Sequence, residues 1–338
     1  MAKHLDRILL EHGSGGLLSN ELVAETFIPL LKNRWLAELG DGAVFEIGGT
    51  RLCFSTDTFV VHPRFFPGGD IGSLAVHGTV NDLAMCGGTP LYLSAGFVLE
   101  EGFPLEELER IVRSMAEAAQ RAGVVVATGD TKVVPRGAAD GLFINTSGIG
   151  IIRCAGTLSP RSIRAGDAVL VSGPIGDHGA AILCVREDVG LTSEIRSDSA
   201  PLNGLVERVL AEGPEIHCMR DVTRGGLGTI LAELAGQSGL RVTIREKDIP
   251  VREAVRGLCE ILGFDPLFLA NEGCLALFCP GKDAGAVLAA MRSHELGREA
   301  AVIGSVSADT RGRLIMETLI GSLREVDLPT GELVPRIC

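Results

Sequence analysis

The stretch DIGSLAVHGTVNDLAMC at residues 70–86, followed by LYLSAGFVL at residues 91–99, decides the fold class of this chain. The first run is typical of a helix, and the second is rich in β-forming residues. The next helix-type run, 105–122, ends at Gly123, as expected for a helix-terminating glycine, and β-type runs follow at 124–127 and 142–152. Together with a β-type run at 51–55, this alternation predicts an α/β or α+β fold and not a helical bundle.

The later half of the sequence has its own set of apolar runs, and LSP at 158–160 and AGD at 165–167 mark the change. The order of these runs predicts an α+β layer with helices on one face of a sheet. Predicted strands cover 168–172, 241–245, 267–279, 301–306 and 313–317. Predicted helices cover 180–185, 202–210, 226–236, 251–262 and 282–294.

The length of 338 residues, 46% of them hydrophobic, is enough for two domains. We predict a mobile N-terminal arm at 1–40 that contains a helix at 19–32, a first domain at 41–155 and a second domain at 156–322. A polar stretch with Pro329, Gly331 and Pro335 predicts a flexible tail at 323–338. From residue 328, an extended tail reaches roughly 35 Å at about 3.3–3.6 Å per residue, enough to enter a neighbouring site.

The composition excludes several classes of function. A net charge of −12 leaves no basic face for nucleic acid. No apolar run has the length of a signal peptide or a membrane helix, so we expect a soluble, cytoplasmic protein without membrane contact. The nine cysteines form no CxxC pair, which argues against a disulfide framework or a zinc cluster.

Four aspartates lie in separate short turns bounded by glycine or small residues: Asp41, Asp57, Asp82 and Asp130. Mg²⁺ prefers oxygen ligands and keeps phosphate oxygens in its shell, so converging carboxylates suit a magnesium triphosphate. Lys132, beside Asp130, can place a positive charge on the phosphates. The alternative is that each aspartate is only a turn or cap residue.

Glycine-rich segments offer further candidate ligand contacts. The chain has no GxxxxGK[ST] motif, so Gly13-Ser14-Gly15-Gly16 is the candidate phosphate lid, with a flexible linker as an equal alternative. SGPIGDHG at 172–179, DVTRGG at 221–226 and NEG at 271–273 also place glycines around polar residues. Asp221 and Thr223 are equally well explained as helix caps. His178 and His217 are isolated, and a structural role is favoured for both.

Two residues stand out chemically. Glu272 interrupts an apolar run, where a carboxylate needs a partner or a function. Cys338 is the last residue of the sequence and follows no apolar run, so its thiol is suited to carry a group between two sites. A cysteine at this position by chance is the alternative. Cys274 is a second thiol near Glu272.

Five segments of the sequence carry a resemblance to a known family. They are FPGGDIG at 66–72, HGTVNDLA at 77–84, GDTKVV at 129–134, DVTRGG at 221–226 and PRIC at 335–338. Together they resemble the HypE family of hydrogenase maturation proteins, and the resemblance spans essentially the whole chain. This family belongs to the superfamily of aminoimidazole ribonucleotide synthetase, selenophosphate synthetase and thiamine-monophosphate kinase. The aspartate motifs are common to the superfamily, whereas the ending PRIC separates HypE from its relatives.

The resemblance implies a two-domain synthetase-like architecture. Its N-terminal α/β domain pairs through its sheet with a twin into a dimeric barrel, and its C-terminal domain is α+β, with ATP in the cleft between the domains. It also implies a homodimer, a carbamoyltransferase partner, HypF, and a HypC–HypD scaffold complex that receives cyanide for the iron of NiFe hydrogenase.

The implied activity is the ATP-dependent dehydration of an S-carbamoyl group on Cys338 to a thiocyanate. The implied roles are metal and phosphate binding by Asp41, Asp57, Asp82 and Asp130, and nucleotide binding by Asn81, Thr131, Gly15, Gly16 and Lys132, with Mg²⁺ as the cation. Lys132 also stabilises the phosphate or carbonyl oxygen. Glu272 is the implied general base.

Two other functions compete with this one. The first is a small-molecule kinase or ATP-dependent synthetase of the same superfamily, which would not need Cys338. Selenophosphate synthesis is disfavoured, since no cysteine followed by lysine lies near the N-terminus. The second is a binding module, in which the tail would be a docking peptide and the aspartate turns would be structural.

Overall fold

The computed structural model describes residues 7–13, 15–154, 156–186, 194–211, 213–309, 311–329, 334 and 336–338. Residues 1–6 and Ser14 of the predicted arm lie outside the described residues. So do residues 330–333 and Pro335 of the predicted tail.

The first domain is a five-stranded sheet in the order β1-β2-β7-β5-β6, antiparallel except for the β5–β6 pair. A short hairpin, β3 and β4, precedes the central helix α3. The elements are α1 Leu17–Leu22, α2 Ile28–Leu31, β1 Ala43–Ile47, β2 Thr50–Phe59, β3 Phe65–Phe66, β4 Gly69–Asp70, α3 Ile71–Met85, β5 Gly88–Glu100, α4 Leu105–Ala122, β6 Val125–Val134 and β7 Leu142–Ile152.

Helix α3 forms the centre of this domain because its N-terminus is capped and nearly all of its side chains are buried. The Asp70 carboxylate accepts hydrogen bonds from the amides of Gly72 and Ser73, and the Ser73 hydroxyl accepts one from the amide of Asp70, which completes a capping box. Helix α4 packs on α3 and ends at Gly123 with φ of 70°. Both helices agree with the prediction.

The other face of this sheet is open. Strand β6 is exposed along almost its whole length, with Val125 58% and Val133 67% exposed, although the sequence around it is apolar. Because β1 and β6 are both edge strands, the described residues of one chain form an open sheet and no closed barrel.

The second domain contains a seven-stranded sheet in the order β14-β13-β10-β12-β8-β11-β9. Its elements are β8 Asp167–Val171, α5 Asp177–Val185, α6 Asn203–Ala211, β9 Cys218–Asp221, α7 Gly226–Ser238, β10 Arg241–Arg245, α8 Glu253–Leu262, β11 Leu275–Pro280, α9 Ala284–Arg292, β12 Ala301–Ser307, β13 Leu314–Glu317 and β14 Leu323–Glu325. Strand β14 lies within the stretch that we assigned to the tail.

Our prediction of helices on one face of this sheet is wrong, because the sheet is covered on both faces. Val169 and Val171 of β8 pack in a cluster with α7, whereas Ala168 and Leu170 pack in a cluster with α6 and α9. All five residues of β8 are buried. A strand that is buried on both faces has a continuous apolar run without polar alternation, as β8 does.

The predicted strand 267–279 is also wrong in its first half. Pro266–Phe268 is a 3₁₀ turn, and the strand starts only at Leu275. The reason lies in the residues between them, where Asn271 and the amides of Glu272 and Gly273 all donate to the Asp198 carboxylate. A backbone held to one carboxylate in this way cannot pair as a strand, so Glu272 lies on a turn that faces the first domain.

Candidate active site

Three carboxylates meet where the two domains contact each other. Ligand oxygens of Asp41, Asp82 and Asp221 lie within 4.8 Å of one another. Asp41 precedes β1, Asp82 lies on α3, and Asp221 ends β9, so both domains contribute. An oxygen-only set of this size fits a hard divalent cation such as Mg²⁺.

The cluster carries an electrostatic penalty in the absence of a cation. Burial raises the pKa of Asp82 well above its usual value, and the neighbouring carboxylates of Asp221, Asp57 and Asp41 raise it further. Burial raises the pKa of Asp41 to about 6, although the Arg220 guanidinium, 2.9 Å away, opposes that shift. A cation bound between these oxygens would remove the repulsion.

Asp57 and Glu272 extend the acidic cluster. Burial raises the pKa of Asp57, and the positive charge of Arg224 works against that rise. Burial also raises the pKa of Glu272 well above its usual value, with further contributions from Asp221, Asp57 and Asp198. The Glu272 side chain is 3% exposed, and its Oε1 has no hydrogen-bond partner among the described residues. A buried carboxylate with an uncommitted oxygen and a raised pKa is suited to accept a proton.

The turn that carries Glu272 is held by the carboxylate of Asp198. This carboxylate accepts from the side-chain amide of Asn271 at 2.8 Å and from the amides of Glu272 and Gly273, each at 3.1 Å. A Cβ added to Gly273 would lie 1.9 Å from the carbonyl oxygen of Asp198, so only glycine fits there. This turn is therefore rigid.

Asn81 supports the same turn from the first domain. Its side-chain amide nitrogen donates to the carbonyls of Ala200 and Glu272 at 3.2 and 3.4 Å, and its oxygen accepts from the amide of Leu202 at 2.8 Å. Asn81 is fully buried. These backbone contacts occupy the polar atoms of Asn81 and favour a structural role in place of the nucleotide contact that we expected.

Cys338 lies in this same site. The Val60 amide donates to a main-chain oxygen of Cys338 at 3.0 Å, and the His62 amide donates to the Arg336 carbonyl at 3.1 Å, so the last residues run alongside the chain after β2. The Arg336 side chain contacts the Val60 carbonyl and the Asp140 carboxylate. The described end of the predicted flexible tail is thus docked.

The thiol of docked Cys338 has a raised pKa. Burial raises the pKa of this thiol to about 12, with Arg224 opposing the rise and Glu272, Asp57 and Asp221 adding to it. Because the thiolate is the nucleophilic form, the raised pKa lowers the reactivity of the Cys338 thiol in this position. The charges of Glu272 and Asp57 act on the Cys338 thiol, so the structure brings these three residues together.

The predicted residues of β6 do not join the cluster within one chain. Asp130 is in register with Gly96, Gly96 with Asn145, and Asn145 with Thr58. Three strand spacings of about 4.8 Å place Asp130 roughly 14 Å from β2. Asp130 shares the open face of the sheet with Thr58, whereas the side chain of Asp57, one residue earlier, points to the opposite face.

Lys132 and Thr131 lie on the same exposed strand. Lys132 Nζ pairs with the Asp130 carboxylate at 2.7 Å, and the two side chains are 70% and 71% exposed. The Thr131 amide donates to Asp130 at 2.9 Å. The side chains of Asp130 and Lys132 therefore form a polar pair on the open face, to which Thr131 contributes its main-chain amide.

The glycines of the arm lie beside the site. Gly15 and Gly16 have φ of 77° and 80°. A Cβ on Gly15 would lie 3.3 Å from the Arg224 carbonyl oxygen, and one on Gly16 would lie 2.7 Å from the Pro329 carbonyl oxygen. The arm thus passes between the DVTRGG segment and the start of the tail, and both glycines are required by close approach and by positive φ.

Of the remaining candidate residues, His217 and Cys274 make contacts that indicate a structural role. His217 pairs with Asp167 at 2.7 Å and with Glu215 at 3.1 Å, outside this site. Cys274 is buried, and its thiol contacts the Gly173 carbonyl. His178 differs, because its Nε2 lies 2.7 Å from the carbonyl oxygen of Ile337, next to Cys338.

Our sequence reasoning missed several site residues. Asp221, which we left open as a helix cap, is the third carboxylate of the cluster. Arg220 is half-buried between Asp41 and Glu233. The sequence offered one indication of its role, namely that it directly precedes Asp221. Asp198 stands in an irregular segment without any motif.

Two family models cover most of the chain. The N-terminal domain of AIR synthase related proteins matches residues 39–152, and the C-terminal domain of the same proteins matches residues 164–317. A carbamoyl dehydratase HypE of Azotobacter vinelandii is 55% identical over 97% of this chain and 96% of its own length. The chain belongs to the HypE family.

Solved HypE structures agree with this assignment. A hydrogenase maturation protein HypE in complex with ATP superposes with a TM-score of 0.83 at 48% identity, covering 98% of this chain and 100% of that chain. The HypE of a HypE–HypF complex superposes with a TM-score of 0.87 at 45% identity, covering 91% and 99%. Both are HypE chains of essentially full-length similarity. Among the described residues, no helix combines the length and the apolar character needed to cross a membrane.

Proposed function

We propose that this chain uses ATP to dehydrate a carbamoyl group held as a thiocarbamate on Cys338, and so converts it into a thiocyanate for NiFe hydrogenase maturation. Carbamoyl dehydratase is the activity named for its HypE relatives, and it is the activity of this chain. The observation that carries the residue assignment is the presence of Cys338 beside Glu272, a buried carboxylate with an uncommitted oxygen.

The reaction needs ATP because an amide oxygen is a poor leaving group. The carbamoyl oxygen attacks the γ-phosphorus, ADP leaves, and one N–H proton is lost. The C–O bond then breaks, phosphate leaves, and the second N–H proton is removed as the C≡N bond forms. The products are the thiocyanate, ADP and phosphate, so the oxygen of the eliminated water leaves in the phosphate.

Glu272 is the proposed base for these protons. Burial raises the pKa of Glu272 above that of an exposed glutamate, which makes its carboxylate a stronger base. Arg224, whose positive charge acts on Cys338 and Glu272, is suited to stabilise the negative charge that develops on the oxygen.

The nucleotide is proposed to enter a cavity of about 1050 Å³ between the α1–α2 segment and strands β1 and β2. Phe27, Trp35 and Phe54 give this cavity an apolar wall, and Asp41 lines it on the side of the carboxylate cluster. An aromatic wall suits a purine base, and the acidic end suits a cation on the phosphates. Gly15 and Gly16 stay the proposed phosphate lid.

Asp41, Asp82 and Asp221 would hold Mg²⁺, and Asp57, whose charge acts on Asp82, is a further candidate ligand. When bound, Mg²⁺ would neutralise the charge of the transferring phosphate. Asp41, Asp57 and Asp82 belong to the predicted metal set, whereas Asp221 replaces Asp130 within one chain.

A homodimer explains the position of Asp130. We propose that a second copy covers the open face and the exposed valines of β6, and that the two sheets close into a barrel. The polar group of Asp130, Thr131 and Lys132 would then contribute to nucleotide binding in the completed assembly. We propose a division into an arm, two domains and a tail, with boundaries near 40, 155 and 325, because β14 pairs with β13 in the second sheet.

Loading of the cysteine is proposed to occur away from this pocket, because the docked thiol has a pKa of about 12. HypF is the proposed donor of the carbamoyl group, since the solved HypE–HypF complex contains a close relative. The HypC–HypD complex is the proposed acceptor of cyanide. A cytoplasmic location stays a prediction from the sequence.

Mass spectrometry of the carbamoylated chain tests this function. We expect Cys338 to lose 18 Da, the mass of one water, only when ATP and Mg²⁺ are present. A Cys338→Ala variant should form no such product, whereas a free-substrate kinase or synthetase would keep its turnover. Retention of the full mass under these conditions would refute the proposal.

A further inference from the structure

His178 makes a buried contact that the chemistry above does not use. It is the second residue of α5 and is 0% exposed. Its Nε2 lies 2.7 Å from the carbonyl oxygen of Ile337, and its Nδ1 lies 2.8 Å from the Ser197 hydroxyl. The ring therefore bridges the residue before Cys338 and a separate loop of the second domain.

The two partners fix the tautomer of this ring. Burial lowers the pKa of His178 to about 4, so the imidazole is neutral at pH 7 and carries one N–H. A carbonyl oxygen only accepts hydrogen bonds, so the proton must be on Nε2. Nδ1 then accepts from the Ser197 hydroxyl, and Ser197 in turn accepts from the Ser199 amide at 3.1 Å.

The surroundings of the ring are apolar and tightly packed. The Phe66 ring meets the imidazole edge-on, with centroids 5.2 Å apart. Ile182 and Ala270 belong to the same apolar cluster as Ile337. Gly68, with φ of 101°, lies so close to Ser197 that a Cβ there would be 2.6 Å from the Ser197 carbonyl oxygen, which holds the loop in place.

We propose that His178, oriented by Ser197, is a latch that keeps the tail docked while Cys338 is processed. The proposal rests on the proposed function of Cys338. The Val60 and His62 amides hold the tail to the first domain, whereas His178 holds it to the second. His178 is a positioning residue, because it contacts Ile337 and not the reacting atoms.

The latch predicts opposite effects on two measurable steps. Loss of the Nε2–H leaves the Ile337 carbonyl buried without its donor, which weakens docking by about 5- to 150-fold. A less docked tail exposes its thiol more often, so reagents reach Cys338 faster. The dehydration, which needs the docked state, becomes slower. Both rates depend on one docking equilibrium, so the ratio of the labelling rate to the dehydration rate rises by that factor.

The experiment compares His178→Phe, His178→Gln and a matched control, His217→Phe, in the full chain. Iodoacetamide labelling of Cys338 is read from the mass of the C-terminal peptide, and the loss of 18 Da is followed in a single turnover with saturating ATP. We expect His178→Phe to label faster and to dehydrate more slowly, with the ratio of the labelling rate to the dehydration rate raised by about 5- to 150-fold and an unchanged KM for ATP. His178→Gln, whose side-chain amide can donate to the carbonyl, should recover most of both.

The His217→Phe control distinguishes a specific effect of His178 on tail docking from a general effect of removing a buried histidine. His217→Phe removes a buried histidine that pairs with Asp167 outside the site, and it should leave the Cys338 labelling rate unchanged. If His178→Phe does not fold, Ser197→Ala takes its place, because it removes the group that orients the ring, and a smaller shift of both rates in the same directions is expected. Labelling of these variants at the wild-type rate would overturn the latch. A wild-type chain that never loses 18 Da would instead overturn the proposed function and leave the labelling test intact.

Discussion

Asp82 offers the sharpest test of the carboxylate cluster, because Asp82→Asn should stabilise the metal-free protein and abolish its response to magnesium. The introduced amide is nearly isosteric with the carboxylate, and it can donate to the Ser55 hydroxyl, which lies 2.6 Å from the Asp82 carboxylate. Ser55 can still donate to the Asp41 carbonyl at 2.8 Å. The substitution therefore removes a charge without leaving an obvious unpaired group.

The magnitude follows from the spacing of the oxygens. Two unit charges 4.8 Å apart, the upper limit of the cluster, repel by about 3 kcal/mol at an effective dielectric constant of about 20. Asp82 faces both Asp41 and Asp221, whereas the Arg220 guanidinium, 2.9 Å from Asp41, offsets part of the negative charge. We expect a gain of about 2 kcal/mol, which corresponds to a Tm rise of about 3 °C for a chain of 338 residues.

The pH dependence has a definite sign. A carboxyl whose pKa is higher in the folded than in the unfolded state binds its proton more tightly when folded, so stability falls as the pH rises. For Asp41 this loss runs from about pH 4 through the folded pKa of about 6. Asp82, with its raised pKa, extends the loss to higher pH. The side-chain amide of the Asp82→Asn variant cannot titrate, so the variant should show a shallower decline.

Thermal unfolding in EDTA and in Mg²⁺–ATP, from pH 5 to 9, measures both effects. The wild type should gain stability from Mg²⁺–ATP, most strongly at high pH, and the variant should gain little. A variant that melts below the wild type in EDTA at pH 8, or that gains as much from Mg²⁺–ATP, would refute the electrostatic account of the cluster.

Three further predictions concern the base, the turn and the dimer. Glu272→Gln should slow the loss of 18 Da by about 10²- to 10⁴-fold while Cys338 labelling stays unchanged; near-normal dehydration would assign the proton to another group. Gly273→Ala should destabilise the chain by about 1–3 kcal/mol in urea unfolding, since its Cβ meets Asp198, whereas Gly257→Ala in α8 has open space and should not. Val133→Arg on β6 should yield a monomer in light scattering, whereas Val112→Arg at an exposed position of α4 should keep the wild-type mass; identical masses for both variants would place the dimer contact elsewhere.

The sequence predicted most of the elements because their boundaries are local. Asp70 and Gly123 mark helix ends by capping and by a left-handed φ, both of which depend on neighbouring residues alone. The second sheet was predicted with one covered face because the β8 run could not show what lies on each side. Strand β14 was assigned to the tail because it pairs at an edge and is exposed, so it has no apolar pattern.

The site was predictable where a motif carried it and not where distant segments meet. Asp41, Asp57 and Asp82 were found from their turns, and Glu272 from its apolar setting. Asp198 could not be found, since its role depends on contacts with the amides of a turn that lies more than 70 residues later, as the separations of 74 and 75 show. Asp130 shows a second limit of prediction from sequence. Within one chain it lies on the open face of the first sheet, away from the other predicted site residues.

The docked tail has a consequence for delivery of the product. Among the described residues, the tail is held by hydrogen bonds to the main-chain oxygens of Arg336, Ile337 and Cys338 and by the Arg336 side chain. None of these hydrogen bonds involves the sulfur. These hydrogen bonds therefore do not distinguish the chemical state of the sulfur. They form equally with a free thiol, a carbamoylated cysteine and a thiocyanate. A tail that carries the thiocyanate must then be distinguished from one that carries a thiol or a carbamoyl group by the partner protein that contacts the sulfur outside the pocket.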